Sequence, residues 1–224
     1  MSFSSRFAAD STTSRISVPT FQRRAGLLTV AMACAVAMCA LAQPTFGRGG
    51  ARDGARAGSQ DAAGQVTAEN VDGVTHFRRL STTVACGGAT SPAAVVAIKK
   101  MGFVADINFR RPSEPGANVE GEGAAAKAAG LRYYNIPFDG EHPSDAAVDK
   151  FLAVITKPGN QPAYIHCSGG NRASTMWFIK RMVVDHWGED RAFKEATELG
   201  MTSPELKKFA VAYAQKHNAT KHSM

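Results

Sequence analysis

The sequence predicts an α/β fold, a mainly parallel central sheet with helices on both faces. Three observations predict it. Short apolar runs alternate with helical patterns along residues 71–217. Runs such as FVADINF and PAYIH are predominantly apolar, as strands covered on both sides are. Helix caps and breakers separate them at spacings that suit strand–helix crossovers.

The elements follow in order. Residues 74–80 and 83–86 read as extended. Ser91 before Pro92 is an N-cap with proline in the first helical turn, opening a helix to about Met101. Residues 103–109 form a strand, and Asn118 caps an alanine-rich helix that stops at Gly130. Residues 131–137 return as a strand. Ser144 caps a helix whose Ala147, Val148, Phe151, Leu152 and Ile155 share one face, closed by Lys157-Pro158-Gly159-Asn160. Residues 162–166 form the next strand. The helix from about Arg172 to Trp187 is apolar nearly all round, which predicts a central, buried position. Two helices follow, the last opened by Ser203-Pro204.

Four segments are predicted along the 224 residues. Residues 1–42 form an export signal. Arg23-Arg24 precede the uncharged stretch AGLLTVAMACAVAMCALA, and Ala40-Leu41-Ala42 suits cleavage before Gln43. The apolar stretch is also long enough to stay as a membrane anchor, so membrane contact is expected only through this segment if it is uncleaved. The expected location is therefore the periplasm or the exterior. Residues 43–70 hold almost no large apolar side chains and read as a flexible linker. The folded domain spans 71–217, and 218–224 is a tail.

Charge excludes one class of function. The whole chain carries +7, but the first 42 residues hold four arginines against one aspartate. The rest is mildly basic, with no basic run interleaved with aromatics, so no nucleic-acid partner is expected. Cleavage removes Cys34 and Cys39 and leaves Cys86 and Cys167, which in an exported chain could pair. With no C-x-x-C and no His-x-x-x-His pair, no metal site is expected, and the chemistry set out below needs no organic cofactor.

The chemistry centres on YIHCSGGNR, residues 164–172, at the carboxyl end of a strand, where ligands bind in open α/β sheets. Cys167 stands just before a helix N-terminus, which favours negative charge. Gly169 and Gly170 let successive amides turn inward around an anion, and Asn171 tolerates left-handed backbone. Ser168 completes the loop. Arg172 supplies a planar fork for a tetrahedral oxyanion. His166 is expected to orient the loop by hydrogen bonding. These groups suit covalent transfer from an oxyanion ester. A disulfide or a buried cysteine beside a glycine turn accounts for the strand and the glycines, but not for the arginine behind them.

His166-Cys167, the glycine-rich loop and Arg172 resemble the active-site loop of cysteine-dependent protein tyrosine and dual-specificity phosphatases. The resemblance is closer to a bacterial phosphatase-like family, found also as the N-terminal domain of beta-lactamase-hydrolase-like proteins. It extends through GGATSP, ADINFRRPSE, AGLRYYNIPFDG, HCSGGNR and LGMTSPELK. It implies a phosphatase-type α/β fold, a cysteinyl-phosphate intermediate, and a phosphorylated small molecule or phosphoprotein as partner. It also implies an upstream aspartate as general acid, which Asp139 matches, 28 positions before Cys167. Two departures stand out. Four residues separate Cys167 from Arg172 where the superfamily has five, a spacing shared with rhodanese-type sulfurtransferases, which carry a persulfide. Ala173 stands where a hydroxyl residue is usual, leaving Ser174 or Ser168 to take its place. Arg110 and Arg111, after the strand FVADINF, are expected at the same sheet edge, steering an anion or simply solvated. Sulfur transfer and a non-catalytic phosphate-binding module remain the alternatives.

Overall fold

This computed structural model describes residues 64–81 and 83–222, the side chains of 219–222 excepted. The predicted export signal and most of the predicted linker lie outside the described residues. Six strands form one sheet: β1 (Val66–Ala68), β2 (Arg78–Leu80), β3 (Val84–Gly87), β4 (Ala105–Asn108), β5 (Arg132–Asn135) and β6 (Ala163–His166). Their order is β1-β2-β3-β6-β4-β5. The four strands β3, β6, β4 and β5 run parallel, while β1 and β2 add an antiparallel edge. The predicted linker therefore gives way before residue 70. Val66–Ala68 pairs with β2, because backbone pairing at an edge needs no apolar side chains.

Six α-helices cover the sheet: α1 (Val95–Lys100), α2 (Val119–Ala129), α3 (Asp145–Ile155), α4 (Asn171–Val183), α5 (Glu189–Glu198) and α6 (Pro204–His222). Local capping explains several boundaries. Ser91 Oγ accepts from Ala94 N at 3.3 Å, where a 3-10 turn, Pro92–Ala94, leads into α1. Asn118 Oδ1 accepts from Gly121 N at 3.0 Å, and Gly130 ends α2 in left-handed backbone. Ser203 Oγ accepts from Leu206 N at 3.1 Å to open α6. Ser144 precedes α3 as expected but makes no side-chain cap bond. Helix α4 ends at Val183, short of the predicted Trp187.

Strand alternation sorts the side chains onto two cores. Val84, Cys86, Ala105, Ile107, Ala163 and Ile165 face the larger core, with α3, α4, α5 and α6. Ala85 and Tyr164 face the smaller one, with α1 and α2. Trp177 and its neighbours on α4 are fully buried, as the apolar circumference of this helix predicts. Gly87 is dictated by packing: a Cβ there would come within 2.1 Å of the Tyr164 hydroxyl. The strands end in register, Gly87 beside His166, His166 beside Asn108, and Asn108 beside Asn135. The loops that follow β4, β5 and β6 thus emerge together at one sheet edge.

Candidate active site

The loop after β6 folds around its own cysteine. Cys167 N donates to Gly87 O at 3.2 Å, the last tie to the neighbouring strand, and Ala89 N donates to Ser168 O at 2.9 Å. Gly170 then takes φ +91°, a conformation that side chains resist. That turn aims its N–H back at the Cys167 Sγ, 3.1 Å away. Helix α4 opens at the next residue. Cys167 is 1% exposed and lies on the floor of a cleft of about 450 Å³, which Ser168, Gly169, Asn171 and Arg172 also line.

Arg172, from the first turn of α4, is gripped by Glu114 from the loop after β4. Its Nη1 and Nη2 donate to Glu114 Oε1 and Oε2 at 2.6 and 2.8 Å, a two-point pair. Nη1 also reaches Phe138 O at 2.8 Å and Phe109 O at 3.3 Å, and Nη2 reaches Ser168 Oγ at 3.0 Å. None of these bonds uses Nε. Burial works against the charge of Arg172, but Glu114 and the Cys167 sulfur outweigh it and hold its pKa above the ordinary value. Burial likewise works against the Glu114 carboxylate. Its bond from Arg172, the Arg111 amide and the nearby guanidinium charges prevail, and its pKa falls to about 2.

Asp139, on the loop after β5, lines the same cleft. Its Oδ2 accepts from Arg111 Nη1 at 2.7 Å and lies 3.5 Å from His142 Nδ1, while Oδ1 accepts from Glu141 N at 3.0 Å. The Glu141 amide above all, then Arg111 and His142, holds its pKa below the usual carboxylate value against a smaller cost of burial. Cys167, Arg172 and Asp139, far apart in sequence, are thus brought to one cleft by three consecutive crossovers onto one sheet edge.

Residues 76–183 match the model of the phosphatase-like domain of beta-lactamase hydrolase-like proteins. This stretch is similar to the phosphatase-like domain of that family. The Beta-lactamase hydrolase-like protein of Agrobacterium fabrum is 28% identical over 127 residues, covering 51% of this chain but only 29% of that protein. Among solved structures, a candidate phosphatase from Shewanella putrefaciens superposes with a TM-score of 0.56 at 19% identity, covering 66% of this chain and 96% of its own. PTPMT1 superposes with a TM-score of 0.54 at 16% identity, over 66% and 99% of the two chains. Pseudomonas aeruginosa TpbA gives 0.51 at 20% identity, over 70% and 92%. These likenesses establish the phosphatase fold.

Within the matched stretch, several predicted residues serve other ends than expected. His166 does not reach the loop. As the last residue of β6 it points to the opposite face of the sheet, where Nε2 lies 2.6 Å from Glu122 Oε1 and 3.4 Å from Asp106 Oδ1. Full burial would strip its proton, but the two carboxylates outweigh that and raise its pKa to about 10. Ser174 does not replace the missing hydroxyl at 173. Its Oγ–H is shared between Gly170 O at 3.1 Å and Asn171 O at 2.9 Å, because a serine in the first turn finds carbonyls nearer than sulfur. Asn171 is not the left-handed residue; Gly170 is. The Asn171 Oδ1 instead accepts from Thr202 N at 2.9 Å and Ser203 N at 3.3 Å, tying the start of α6 to the cleft wall. Arg110 is 5% exposed, and its guanidinium is spent on Gly116 O at 3.0 Å and Pro115 O at 2.6 Å. It shapes the loop, and of the two neighbouring arginines that line the cleft Arg111 is the more exposed. Cys86 and Cys167 are free and buried. Burial, then the Cys167 sulfur and Glu195, push the Cys86 thiol well above its ordinary pKa.

Glu114 is the residue that sequence reasoning passed over. It stands within ADINFRRPSE, but its grip on Arg172 depends on two loops meeting. Among the described residues, two groups bring carboxylate and imidazole ligand atoms within 4.8 Å: Asp106, Glu122 and His166, buried, and Asp139, Glu141 and His142 at the cleft mouth. In the first, His166 already holds Glu122 at 2.6 Å. In the second, Arg111 occupies Asp139.

Proposed function

We propose that this domain is a cysteine-dependent phosphatase that hydrolyses a phosphate monoester through a cysteinyl-phosphate intermediate. The observation that carries this reading is the meeting of the Cys167 sulfur, the inward Gly170 amide and the Glu114-braced Arg172 in one cleft. In the reaction, Cys167 attacks phosphorus. The amides of Ser168, Gly169, Gly170 and Asn171 and the guanidinium of Arg172 hold the phosphoryl oxygens as charge builds on them. Asp139 protonates the leaving oxygen. Glu114 acts through Arg172, holding its plane fixed so that no reorganisation is needed at the moment of transfer. The substrate is a phosphorylated small molecule or a phosphoprotein; TpbA, of the same fold, has been solved with phosphotyrosine. The signal pattern ending at Ala42 supports action outside the cytoplasm.

The four-residue spacing between Cys167 and Arg172 favours a second reading, sulfur transfer through a Cys167 persulfide. The shorter loop offers fewer amides and a narrower cradle. A third, phosphate binding without turnover, uses the same cradle. One comparison separates them: an aryl phosphate and thiosulfate are assayed in parallel with the wild type, Cys167→Ser, Arg172→Lys and Asp139→Asn. The phosphatase reading expects phosphate release that vanishes in Cys167→Ser, falls roughly 10²–10³-fold in Arg172→Lys, and falls in Asp139→Asn. Phosphate release that survives loss of the thiol rejects the nucleophile. Sulfur transfer alone promotes the second reading, and binding without either reaction promotes the third.

A further inference from the structure

Asp139 meets the free cleft as a carboxylate, the state that cannot donate a proton. Two donors reach it, Arg111 Nη1 and the Glu141 amide, and His142 Nδ1 lies 3.5 Å away. Of these only Arg111 comes from another loop. Its side chain is 44% exposed, so solvent reaches it, and its Nε lies 3.4 Å from Glu114 Oε1. Glu114 is meanwhile committed to Arg172 by both oxygens. Arg111 therefore spans the two sides of the cleft, touching the acid on one side and the brace of the oxyanion clamp on the other.

The charges around Asp139 are few. Arg110, Arg111 and Glu114 enter from the loop after β4, Cys167 from the loop after β6, Arg172 from α4, and Glu141 and His142 from its own loop. The α6 side lines the cleft with Ser203 and Leu206, which carry none. A phosphate monoester dianion seated against Arg172 adds two negative charges to this set. It is also a stronger partner for a guanidinium than a single carboxylate is. An added anion close by raises the affinity of a carboxylate for its proton.

We propose that Arg111 is an exchangeable latch: it holds Asp139 ionised in the free cleft, and a bound phosphate monoester takes Arg111 away so that Asp139 gains the proton it must donate. The latch rests on the phosphatase reading. The proton comes from solvent. The Cys167 thiolate then forms the S–P bond as the P–O bond to the leaving group breaks. The electron pair of that bond stays with the leaving oxygen, which takes the proton from Asp139. Water then loses a proton to the Asp139 carboxylate and attacks phosphorus as the S–P bond breaks, its electron pair returning to Cys167; once inorganic phosphate and that proton leave, Arg111 returns to the carboxylate. Arg111 is in this sense a positioning residue that sets the protonation of the acid, and the acid becomes competent only when there is something to protonate.

The test is a carboxyl-carbon NMR titration of Asp139 in the wild type and in Arg111→Gln, each with and without saturating inorganic phosphate, with aryl-phosphate hydrolysis measured on the same samples. In the wild type, phosphate is expected to raise the Asp139 titration by about one pH unit or more. In Arg111→Gln the free protein already titrates higher, by about one unit, and phosphate adds less than it does in the wild type. An equal phosphate shift in both proteins, or none in the wild type, overturns the latch. Hydrolysis without that difference sinks the latch and leaves the phosphatase reading standing. The difference without hydrolysis sinks the phosphatase reading and leaves the exchange at Arg111 standing. Failure to bind phosphate removes both.

Discussion

His166 and Cys167 are adjacent in the chain and face opposite sides of the sheet, and the charged groups gathered around each differ in one respect. Around His166 the cluster is closed: His166, Glu122 and Asp106 are each at most 2% exposed. Around Cys167 it is open, with Arg111 and Asp139 at 44% and 27% side-chain exposure. Both clusters hold a cation to a carboxylate at 2.6 Å. A closed cluster commits its charges at folding, and losing one member strands another without water to replace it. An open cluster can trade a carboxylate for an incoming anion. Access to solvent, not composition, separates the structural cluster from the candidate site.

The largest expected effect breaks the closed side. Glu122→Ala leaves the His166 imidazolium without its nearest partner and should lower the unfolding free energy by about 3–5 kcal/mol, read from urea denaturation. A loss under about 1 kcal/mol, no larger than a surface pair gives, would mean that water already reaches His166 and that the two clusters are alike.

Next in size, pH should separate the clusters by the limb on which each fails. The Glu114 pKa falls from 4.5 to about 2 on folding. Its contribution is present above the unfolded value of 4.5 and is lost as pH falls toward 2. The His166 pKa rises from 6.5 to about 10. Its contribution is complete below 6.5 and is lost as pH rises through 10. Melting temperature against pH should therefore lose part of its acid limb in Glu114→Gln and part of its alkaline limb in His166→Gln. Both variants altering the same limb would contradict the assignment.

The smallest effect sharpens the comparison within the loop itself. Gly170→Ala forces a Cβ into left-handed backbone and should cost about 1–2 kcal/mol. Gly169→Ala, whose Cβ would meet nothing within 4 Å, should cost less. Equal losses by thermal denaturation would show that the turn tolerates either residue, and would weaken the link between φ at Gly170 and the N–H aimed at the sulfur.

Much of the scaffold was legible beforehand. The caps Ser91, Asn118 and Ser203 and the breaker Gly130 act through bonds within three or four residues, so a local pattern reports them. Apolar runs marked β3, β4 and β6, and the alternation of helix and strand placed β5, whose RYYN is not apolar. The short edge strand at Val66–Ala68 was not legible, because it is held by backbone pairing to β2 and carries no core side chain. In the site, the strand–loop–helix setting of Cys167 and Arg172 was readable. The partners of these residues were not. Ser174 turned to carbonyls of its own turn, Asn171 to the amides that precede α6, Arg110 to its own loop, and His166 to the far face.

By itself, then, the sequence determined an α/β order of elements, a cysteine before a helix with an arginine in its first turn, and an aspartate on an earlier loop. Each of these is a short-range relation among neighbouring residues, so period and spacing carry it. Only the tertiary structure decided that Glu114 braces Arg172, that Arg111 holds Asp139, and that His166 is sealed away from Cys167. Those contacts join loops 28 to 58 residues apart and faces separated by the pleat of a strand. They exist only once the parallel strands stand in register and bring their carboxyl ends to one edge.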